Sequence, residues 1–326
     1  MYLVVSIDTE EDNWGEYDNV TASAENIKVL PVLQSVFDEF SIIPTYLITY
    51  PVATNKESMH ILRNIYESGK CEIGMHCHPW NTPPFEEERN PYNSMLCNLP
   101  YNLQYKKMRM LHETIETSIC VNAKSFRAGR WGYGTNTALA LEKLGYLVDS
   151  SITPFTNWSM DHGPDYSDIK PKPYRFNASQ IYREQEKGRL IELPATIGYL
   201  QKNFALYHAM ERRLTTNWGK ILRAKGVLSR MRVLNKVWLS PEASTAQQMI
   251  DLTKIFMKRK QEIVNMFFHS TSLKAGLSFI VKRREDEIAF LSRLREYFAF
   301  TNDAGIMPVK LSEIASIHLQ NGSSHI

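Results

Sequence analysis

Short apolar segments alternate with longer amphipathic segments along most of this 326-residue chain, and no other feature constrains its fold as strongly. The apolar segments 2–7, 44–50 and 72–77 have the length of strands. The amphipathic segments 24–40 and 57–68 have helical spacing. Repeated strand–helix units predict a parallel sheet covered by helices, and each strand runs directly into polar residues, as at the functional rim of an α/β barrel. We therefore expect a closed or nearly closed α/β barrel.

The polar residues at the predicted strand ends are of the types that bind metal ions and transfer protons. They are Asp8, Glu10, His76, His78, Arg127, Arg130, Asp149 and His269. His76 and His78 are separated by one residue on a strand, so their side chains share a face. Two imidazoles and a carboxylate with an open position can hold a divalent cation that activates water for hydrolysis.

Five segments, in their order along the chain, resemble the motifs of the NodB-homology polysaccharide deacetylases, carbohydrate esterase family four. These segments are Ser6-Ile7-Asp8-Thr9-Glu10, Glu72-Ile73-Gly74-Met75-His76-Cys77-His78, Phe126-Arg127-Ala128-Gly129, Asp149-Ser150-Ser151-Ile152-Thr153-Pro154 and Phe267-Phe268-His269-Ser270. The resemblance covers about 1–200 and 260–315. It implies an α/β fold, a distorted (β/α)7-type barrel.

The resemblance also implies a role for each candidate residue. Asp8 would be the general base, Arg127 would keep it ionised, and His269 would protonate the departing amine. Glu10, His76 and His78 would bind a divalent metal, with Zn²⁺ the first choice among the divalent transition metals. The remaining candidates are Asp149 for orienting Arg127 or a ligand, and Arg130, Trp131 and Trp80 for binding substrate.

Two departures from the family pattern concern the metal ligands. The two histidines of the family are four positions apart, whereas the fourth residue after His76 is Trp80, so we take His78 as the second ligand. The metal-binding acid of the family directly follows the base, whereas here the candidate is Glu10, one position further on. Glu11 and Asp12 are alternative acidic ligands.

A basic segment, 212–238, lies within an expected amphipathic insertion at 203–240 of an otherwise single barrel spanning 1–326. It contains eight lysines and arginines from Arg212 to Lys236 and no acid, with tryptophans and aliphatic residues at roughly helical spacing. Such composition is typical of a segment that lies on an anionic membrane surface. A basic helical pair packed on the barrel is the alternative. No recognisable nucleic-acid-binding module occurs, so we expect no nucleic-acid partner.

The expected location of the protein depends on sequence features of secreted and membrane-spanning proteins. The four cysteines form no CxxC pair, no apolar run reaches the ~18–20 residues of a membrane span, and no basic leader precedes the first strand. We expect a cytoplasmic protein, peripheral to the inner face of the membrane if the basic segment binds there.

These expectations converge on a metal-dependent N-deacetylase that acts on an N-acetylated sugar in polysaccharide or glycolipid biosynthesis. The substrate would be a saccharide, free or lipid-linked. Two alternatives are a deformylase or amidohydrolase acting on a smaller or lipid-linked amino sugar, and a non-catalytic glycan-binding barrel. A glycosidase would need two carboxylates but has little use for His76 and His78.

Overall fold

A computed structural model describes residues 1–12, 22–215, 235–278 and 280–317 of the chain. The strands are β1 (Tyr2–Thr9), β2 (Thr45–Ile48), β3 (Glu72–Cys77), β4 (Ser125–Ala128), β5 (Val148–Asp149), β6 (Tyr174–Phe176), β7 (Leu190–Glu192), β8 (Ile197–Tyr199), β9 (Lys236–Trp238), β10 (Ile263–His269) and β11 (Met307–Pro308). The helices are α1 (Leu30–Glu39), α2 (Tyr50–Thr54), α3 (Lys56–Glu67), α4 (Tyr101–Ile119), α5 (Thr135–Leu144), α6 (Phe204–Thr215), α7 (Ala246–Lys258) and α8 (Arg284–Asp303).

Seven of the described strands form a parallel sheet in the order β10–β1–β2–β3–β4–β5–β7. Strand β6 is antiparallel to β7, and β11 pairs with the start of β1. Thr196, which follows β7, bridges the gap between β7 and β10, because its amide donates to Asn265 O of β10 at 3.2 Å. The amide of Leu239, which follows β9, donates in turn to Thr196 O at 2.8 Å. The sheet therefore curls into a distorted barrel, which confirms the predicted fold class.

The sides of β1 show why the strands are apolar on both faces. Leu3, Val5 and Ile7 point outward into the main core, where they pack against the surrounding helices. Val4 points inward and packs with Leu47 in a second apolar cluster inside the barrel. A parallel strand that is buried on both faces has a nearly continuous apolar sequence, as observed.

Several elements differ from those expected. The strand expected to end near Asp149 has only the two residues of β5, because the polar residues after Asp149 leave the ladder. Helix α2 begins at Tyr50, where we expected only a strand to end, because Pro51 occupies the first turn of a helix, in which its missing N–H carries no cost. The short strands β8 and β9 were not predicted.

The basic segment is described only at its ends, and 216–234 lies outside the described residues. Helix α6 contains Arg212 and Arg213, and Arg212 pairs with Asp168 at 3.3 Å. The helical spacing expected up to Trp238 does not hold at the end of the segment, where Lys236–Trp238 is strand β9 and pairs with β8. The single barrel with an insertion at 203–240 stays a prediction. Among the described residues, no helix has the length and apolar character needed to cross a membrane.

Candidate active site

Alternation along the strands brings the candidate residues to one end of the barrel interior. On β1, Ser6 and Asp8 are two residues apart and both face the inside of the barrel. On β3, Gly74 and His76 face the inside in the same way. The strands are in register, so these ends meet around a cavity of about 240 Å³. Its walls are formed by Asp8, Glu10, His76, His78, Met95, Ala128, Arg130, Trp131, Trp158 and His269.

Glu10, His76 and His78 form a group with the geometry of a metal site. One ligand atom from each residue lies within 4.8 Å of the others. Glu10 Oε2 is 3.0 Å from His78 Nε2, and Glu10 Oε1 is 3.8 Å from His76 Nε2. All three side chains are buried, so their donor atoms are held in place by packing. A second group, Asp8, Glu10 and His269, meets the same distance criterion.

The hydrogen bond of His76 fixes the nitrogen that faces the cavity. His76 Nδ1 lies 2.9 Å from Arg127 O, and since a carbonyl oxygen only accepts, Nδ1 carries the proton. The lone pair is therefore on Nε2, which faces Glu10. Burial lowers the pKa of His76 and of His78 to about 4, so both rings are neutral at pH 7, the state in which imidazole binds a cation.

Asp8 is held as an anion by Arg127. The Arg127 guanidinium donates from Nη1 to Asp8 Oδ1 at 2.6 Å, and both side chains are buried. Burial alone would raise the pKa of Asp8, but the charge and hydrogen bond of Arg127, together with the charges of the neighbouring His76 and His269, outweigh it and the net shift is downward. The Asp8 carboxylate is therefore a base that stays ionised at the wall of the cavity.

A polar layer inside the barrel holds Arg127 in turn. Arg127 Nη2 donates to Ser6 Oγ at 2.6 Å, and Nε donates to Ser150 O at 2.8 Å. Ser6 Oγ donates to Asn265 Oδ1 at 2.8 Å, and Asn265 Nδ2 donates to Ser150 Oγ at 2.9 Å. These bonds join β1, β4 and β10, so the position of Asp8 is fixed from below by three strands.

His269 is a partly buried imidazole that pairs with Glu242. Its Nδ1 lies 2.9 Å from Glu242 Oε2, while its Nε2 lies 3.6 Å from Glu10 Oε1 and 3.9 Å from Asp8 Oδ2. Burial lowers the pKa of His269, but the Glu242 carboxylate and the two cavity carboxylates outweigh it and raise the pKa to about 10. His269 is therefore protonated at neutral pH, with Nε2 directed toward the carboxylates of the cavity.

Sequence reasoning missed Glu242 because it follows β9, a strand of only three residues. The signal that identified the other candidates, a polar residue just after an apolar strand, is present but weak in Trp238-Leu239-Ser240-Pro241-Glu242.

The two alternative acidic ligands, Glu11 and Asp12, belong to neither of these groups and are engaged in hydrogen bonds to other residues. Glu11 accepts hydrogen bonds from Thr49 Oγ1 at 2.9 Å and Asn81 Nδ2 at 2.8 Å. Asp12 accepts from Glu25 N at 2.8 Å, Asn26 N and Nδ2, and Ser23 Oγ. Both carboxylates therefore connect the end of β1 to the following segments, and Glu10 is the acid that faces the two histidines.

Three predicted residues lie outside the walls of this cavity: Arg127, which lies behind Asp8, and also Trp80 and Asp149. Trp80 packs on the imidazole of His78 with ring centroids 4.1 Å apart, and it lines a neighbouring cavity of about 280 Å³ instead. Trp80 therefore supports the His78 ring, and its contact with substrate stays a prediction. Asp149 is fully buried beneath the site, where it accepts from Ser151 Oγ at 2.6 Å and faces Glu192. Asp149 thus contacts neither Arg127 nor the metal group through a hydrogen bond of the described structure.

The tight turn after β4 completes the wall beside His78. A Cβ atom on Gly129 would overlap the imidazole of His78, with the ring Cγ only 2.7 Å away. Arg130 and Trp131 follow with φ values of 53° and 60°, and both line the cavity. Arg130 also donates to Ser94 Oγ from the segment after β3. This turn therefore requires glycine at 129, because only a hydrogen atom leaves room for the imidazole of His78.

A larger cavity, of about 580 Å³, lies against α6 and is lined by Arg212 and Arg213 among others. It contains none of the candidate catalytic or metal-binding residues, so its size does not make it the active site.

No family model matches the chain, and no curated protein is similar to it in sequence. Solved structures are similar to it. A protein from Mycobacterium smegmatis assigned as a polysaccharide deacetylase superposes with a TM-score of 0.58 at 16% identity, over 98% of this chain and 91% of the other. The chain has the polysaccharide deacetylase fold.

Two further structures share this deacetylase fold in part. A protein from Parabacteroides distasonis assigned as a glycoside hydrolase/deacetylase gives a TM-score of 0.61 at 9% identity, over 98% of this chain and 71% of that one. A 4-alpha-glucanotransferase from Thermococcus litoralis gives 0.51 at 13% identity, over 97% of this chain and 40% of that one. At such identities the deacetylase fold is what is shared, and the activity depends on the side chains of the site.

Proposed function

We propose that this protein is a metal-dependent hydrolase that removes an N-acyl group, most simply acetyl, from an amino sugar. The observation that carries this proposal is the convergence of Glu10, His76 and His78 on one point, next to an ionised Asp8 and a protonated His269. Hydrolysis of an amide needs an electrophile, a base for water and an acid for the amine, and these five residues supply each of them.

The donor set fits a divalent transition metal such as Zn²⁺, which prefers imidazole nitrogen together with a carboxylate oxygen. Glu10, His76 and His78 would hold the ion, and His76 already presents its unprotonated Nε2. A bound cation would polarise the amide carbonyl and make a water molecule more acidic.

The residues of the chain then have separate tasks in proton transfer. Asp8 takes the proton of the attacking water, since Arg127 keeps its carboxylate ionised. His269 donates its Nε2 proton to the departing nitrogen, and the Glu242 carboxylate stabilises the imidazolium until that step. Arg127 contacts Asp8 rather than substrate, so it is a positioning residue. We place Trp131, Trp158 and Arg130 at the sugar, since all three line the cavity.

The test is to purify the full chain with Zn²⁺ and measure bound metal and acetate or formate release from N-acylated amino sugars. We expect about one ion per chain in the wild type and in Asp8→Asn, but a loss of the ion in His76→Ala and His78→Ala. Asp8→Asn and His269→Ala should lower kcat by about 10²–10⁴-fold.

His60→Ala is the matched control for metal content, because His60 is an exposed histidine on α3. Equal metal content in His76→Ala and the wild type would contradict the proposal, as would the absence of amide hydrolysis by metal-loaded protein. Cleavage of a glycosidic bond that survives His76→Ala would indicate a glycosidase instead.

A further inference from the structure

Two segments that follow β3 and β5 cover the cavity from one side. The first roof segment, 79–100, contributes Met95 to the wall, and the second roof segment, 153–166, contributes Trp158. Met95 is almost fully buried, whereas Trp158 is only half-buried at the mouth.

The two roof segments are joined to each other. Asn98 Nδ2 donates to Tyr92 O within the first segment and to His162 O in the second, both at 2.9 Å. The rings of Tyr92 and His162 are in contact, with centroids 5.8 Å apart. A Cβ atom built on Gly163 would lie 3.1 Å from Met95 Cε, so the Met95 side chain fills the space between the segments.

Both roof segments are also joined to the turn after β4. Tyr166 Oη donates to Trp131 O at 2.6 Å, and the amide of Cys97 donates to Gly132 O at 2.9 Å. The wall is therefore continuous from the first segment through the second to this turn. Trp158 of the second segment also lies near Trp238, the last residue of β9, at a centroid distance of 6.5 Å.

The cavity is also small. Its volume of about 240 Å³ is below the range of about 300–1,000 Å³ that is usual for pockets holding drug-sized ligands, which leaves room for one monosaccharide ring. A sugar unit in the interior of a polymer is substituted on two sides, so it can react only in a cleft that is open at both ends. A unit at a chain end, or one carried singly, needs a single opening.

We propose that the site accepts one N-acylated sugar unit that is terminal or carried singly on another group, and that the joined roof segments exclude units in the interior of a polymer. This inference rests on the proposed function and specifies its substrate class. It makes Asn98 a specificity-determining residue, because its side chain joins the two segments that cover the cavity.

The experiment compares the methyl glycosides of N-acetylglucosamine, N-acetylgalactosamine and N-acetylmannosamine with a β-1,4-linked tetramer of N-acetylglucosamine labelled at its reducing end. Fragmentation mass spectrometry locates the free amine in the tetramer product. We expect turnover of at least one methyl glycoside, and deacetylation of the tetramer only at an end. Deacetylation of the two interior units by the wild type overturns the inference while leaving the proposed function intact. A metal-loaded protein that hydrolyses none of these amides overturns both.

Two alanine variants in the first roof segment distinguish an effect on substrate specificity from an effect on the structure of that segment. Asn98→Ala removes the tie between the segments, and we expect the ratio of interior to terminal deacetylation to rise about tenfold or more. Asn93→Ala is the matched control, because Asn93 Nδ2 donates to Glu88 O within the same segment. A ratio that is unchanged in Asn98→Ala, or raised equally in Asn93→Ala, contradicts the assignment of Asn98.

A binding measurement provides a readout that is independent of turnover. Calorimetry measures the binding of methyl glucosaminide and of the deacetylated tetramer to metal-free protein. We expect the wild type to bind each ligand through one sugar unit, with Kd values that are equal within a few-fold.

Discussion

The Asp8 and Glu10 carboxylates lie two residues apart on one face of the chain, yet their surroundings shift the two pKa values in opposite directions. Arg127 holds the pKa of Asp8 down, whereas burial and the neighbouring carboxylates raise the pKa of Glu10 to about 7. Glu10 has the neutral imidazoles of His76 and His78 beside it and no guanidinium, and the protonated His269, 3.6 Å away, only partly offsets the effect of burial. The same contrast separates their proposed tasks, since a base must be ionised beforehand while a ligand gains its counter-charge from the cation.

The Glu242 carboxylate is expected to matter only through His269. In Glu242→Gln the side chain keeps an oxygen that can accept from Ser272 Oγ, a bond of 2.5 Å in the wild type, but it loses the charge that stabilises the imidazolium. We expect kcat to fall about 10–100-fold, with KM and bound metal unchanged, as measured by steady-state kinetics and metal analysis. Glu242→Asp should recover part of kcat. A change in KM alone would indicate that Glu242 acts on substrate binding.

Gly129 is expected to be required for metal binding, because its missing side chain makes room for the His78 ring. In Gly129→Ala the new methyl group displaces the imidazole, and we expect the affinity for Zn²⁺ to fall about 10–100-fold in a competition titration with a chelator. Gly134→Ala is the control, since a Cβ there meets only Cys97. Equal affinities in the two variants would show that His78 is not held by this contact.

At the scale of elements, helix α4 anchors the first roof segment through a buried lysine. Lys107 Nζ donates to three backbone carbonyls, Pro79 O at 2.9 Å, Thr82 O at 2.8 Å and Pro84 O at 2.8 Å, and pairs with Glu87 at 2.8 Å. The Lys107 side chain is fully buried, so these four partners replace the water molecules that solvate its ammonium group in the unfolded chain.

Lys107→Met would leave the Glu87 carboxylate and three carbonyls without their donor. We expect a loss of about 3 kcal/mol or more in the free energy of unfolding, measured by urea denaturation, and faster proteolysis within the first roof segment. Lys106→Met is the adjacent control, because Lys106 pairs with Glu86 at the surface and should contribute less than about 1 kcal/mol. Similar losses in the two variants would contradict an anchoring role for Lys107.

The elements that the sequence predicted well are those with long periodic patterns. Helix α3 matches the amphipathic segment 57–68 to within one residue at each end. Strands β1 and β3 were recognised because strands that are buried on both faces are mostly apolar along their length. Alternation along these strands was sufficient to place His76 and His78 on one face.

The sequence could not reveal contacts that depend on tertiary packing. Strands β8 and β9 have three residues each, too few for a period to be visible, so Glu242 was missed. The packing of the Trp80 ring on His78 was not predicted either, because no local pattern shows it. Lys107 looks in the sequence like any other lysine of an amphipathic helix, since its four partners come from a separate segment.

At the scale of the whole molecule, the barrel encloses a carboxyl pair away from the catalytic cavity. Asp149 on β5 and Glu192 on β7 face each other across the ladder, both completely buried. Two adjacent buried carboxyl groups cannot both be ionised cheaply, so the pair retains a proton. Burial is the main cause that raises the pKa of Asp149 to about 6, and burial together with Asp149 raises the pKa of Glu192.

This pair should make the stability of the barrel depend on pH. The unfolded chain releases the protons near the ordinary pKa of 3.8 for Asp149, whereas the folded barrel keeps one up to about 6 or above. Its stabilising contribution is complete below the unfolded pKa and is lost as pH rises through the folded pKa, a change of about 3 kcal/mol.

The variant Glu192→Gln tests this dependence, because its side-chain amide donates to Asp149 at every pH. The wild type should lose free energy of unfolding between pH 4 and pH 7, and Glu192→Gln should lose about 3 kcal/mol less. Glu67→Gln, a change at an exposed residue of α3, should leave the pH dependence of the wild type intact. Parallel urea-denaturation curves for the wild type and Glu192→Gln at both pH values would show that the two carboxyl groups share no proton in the folded barrel.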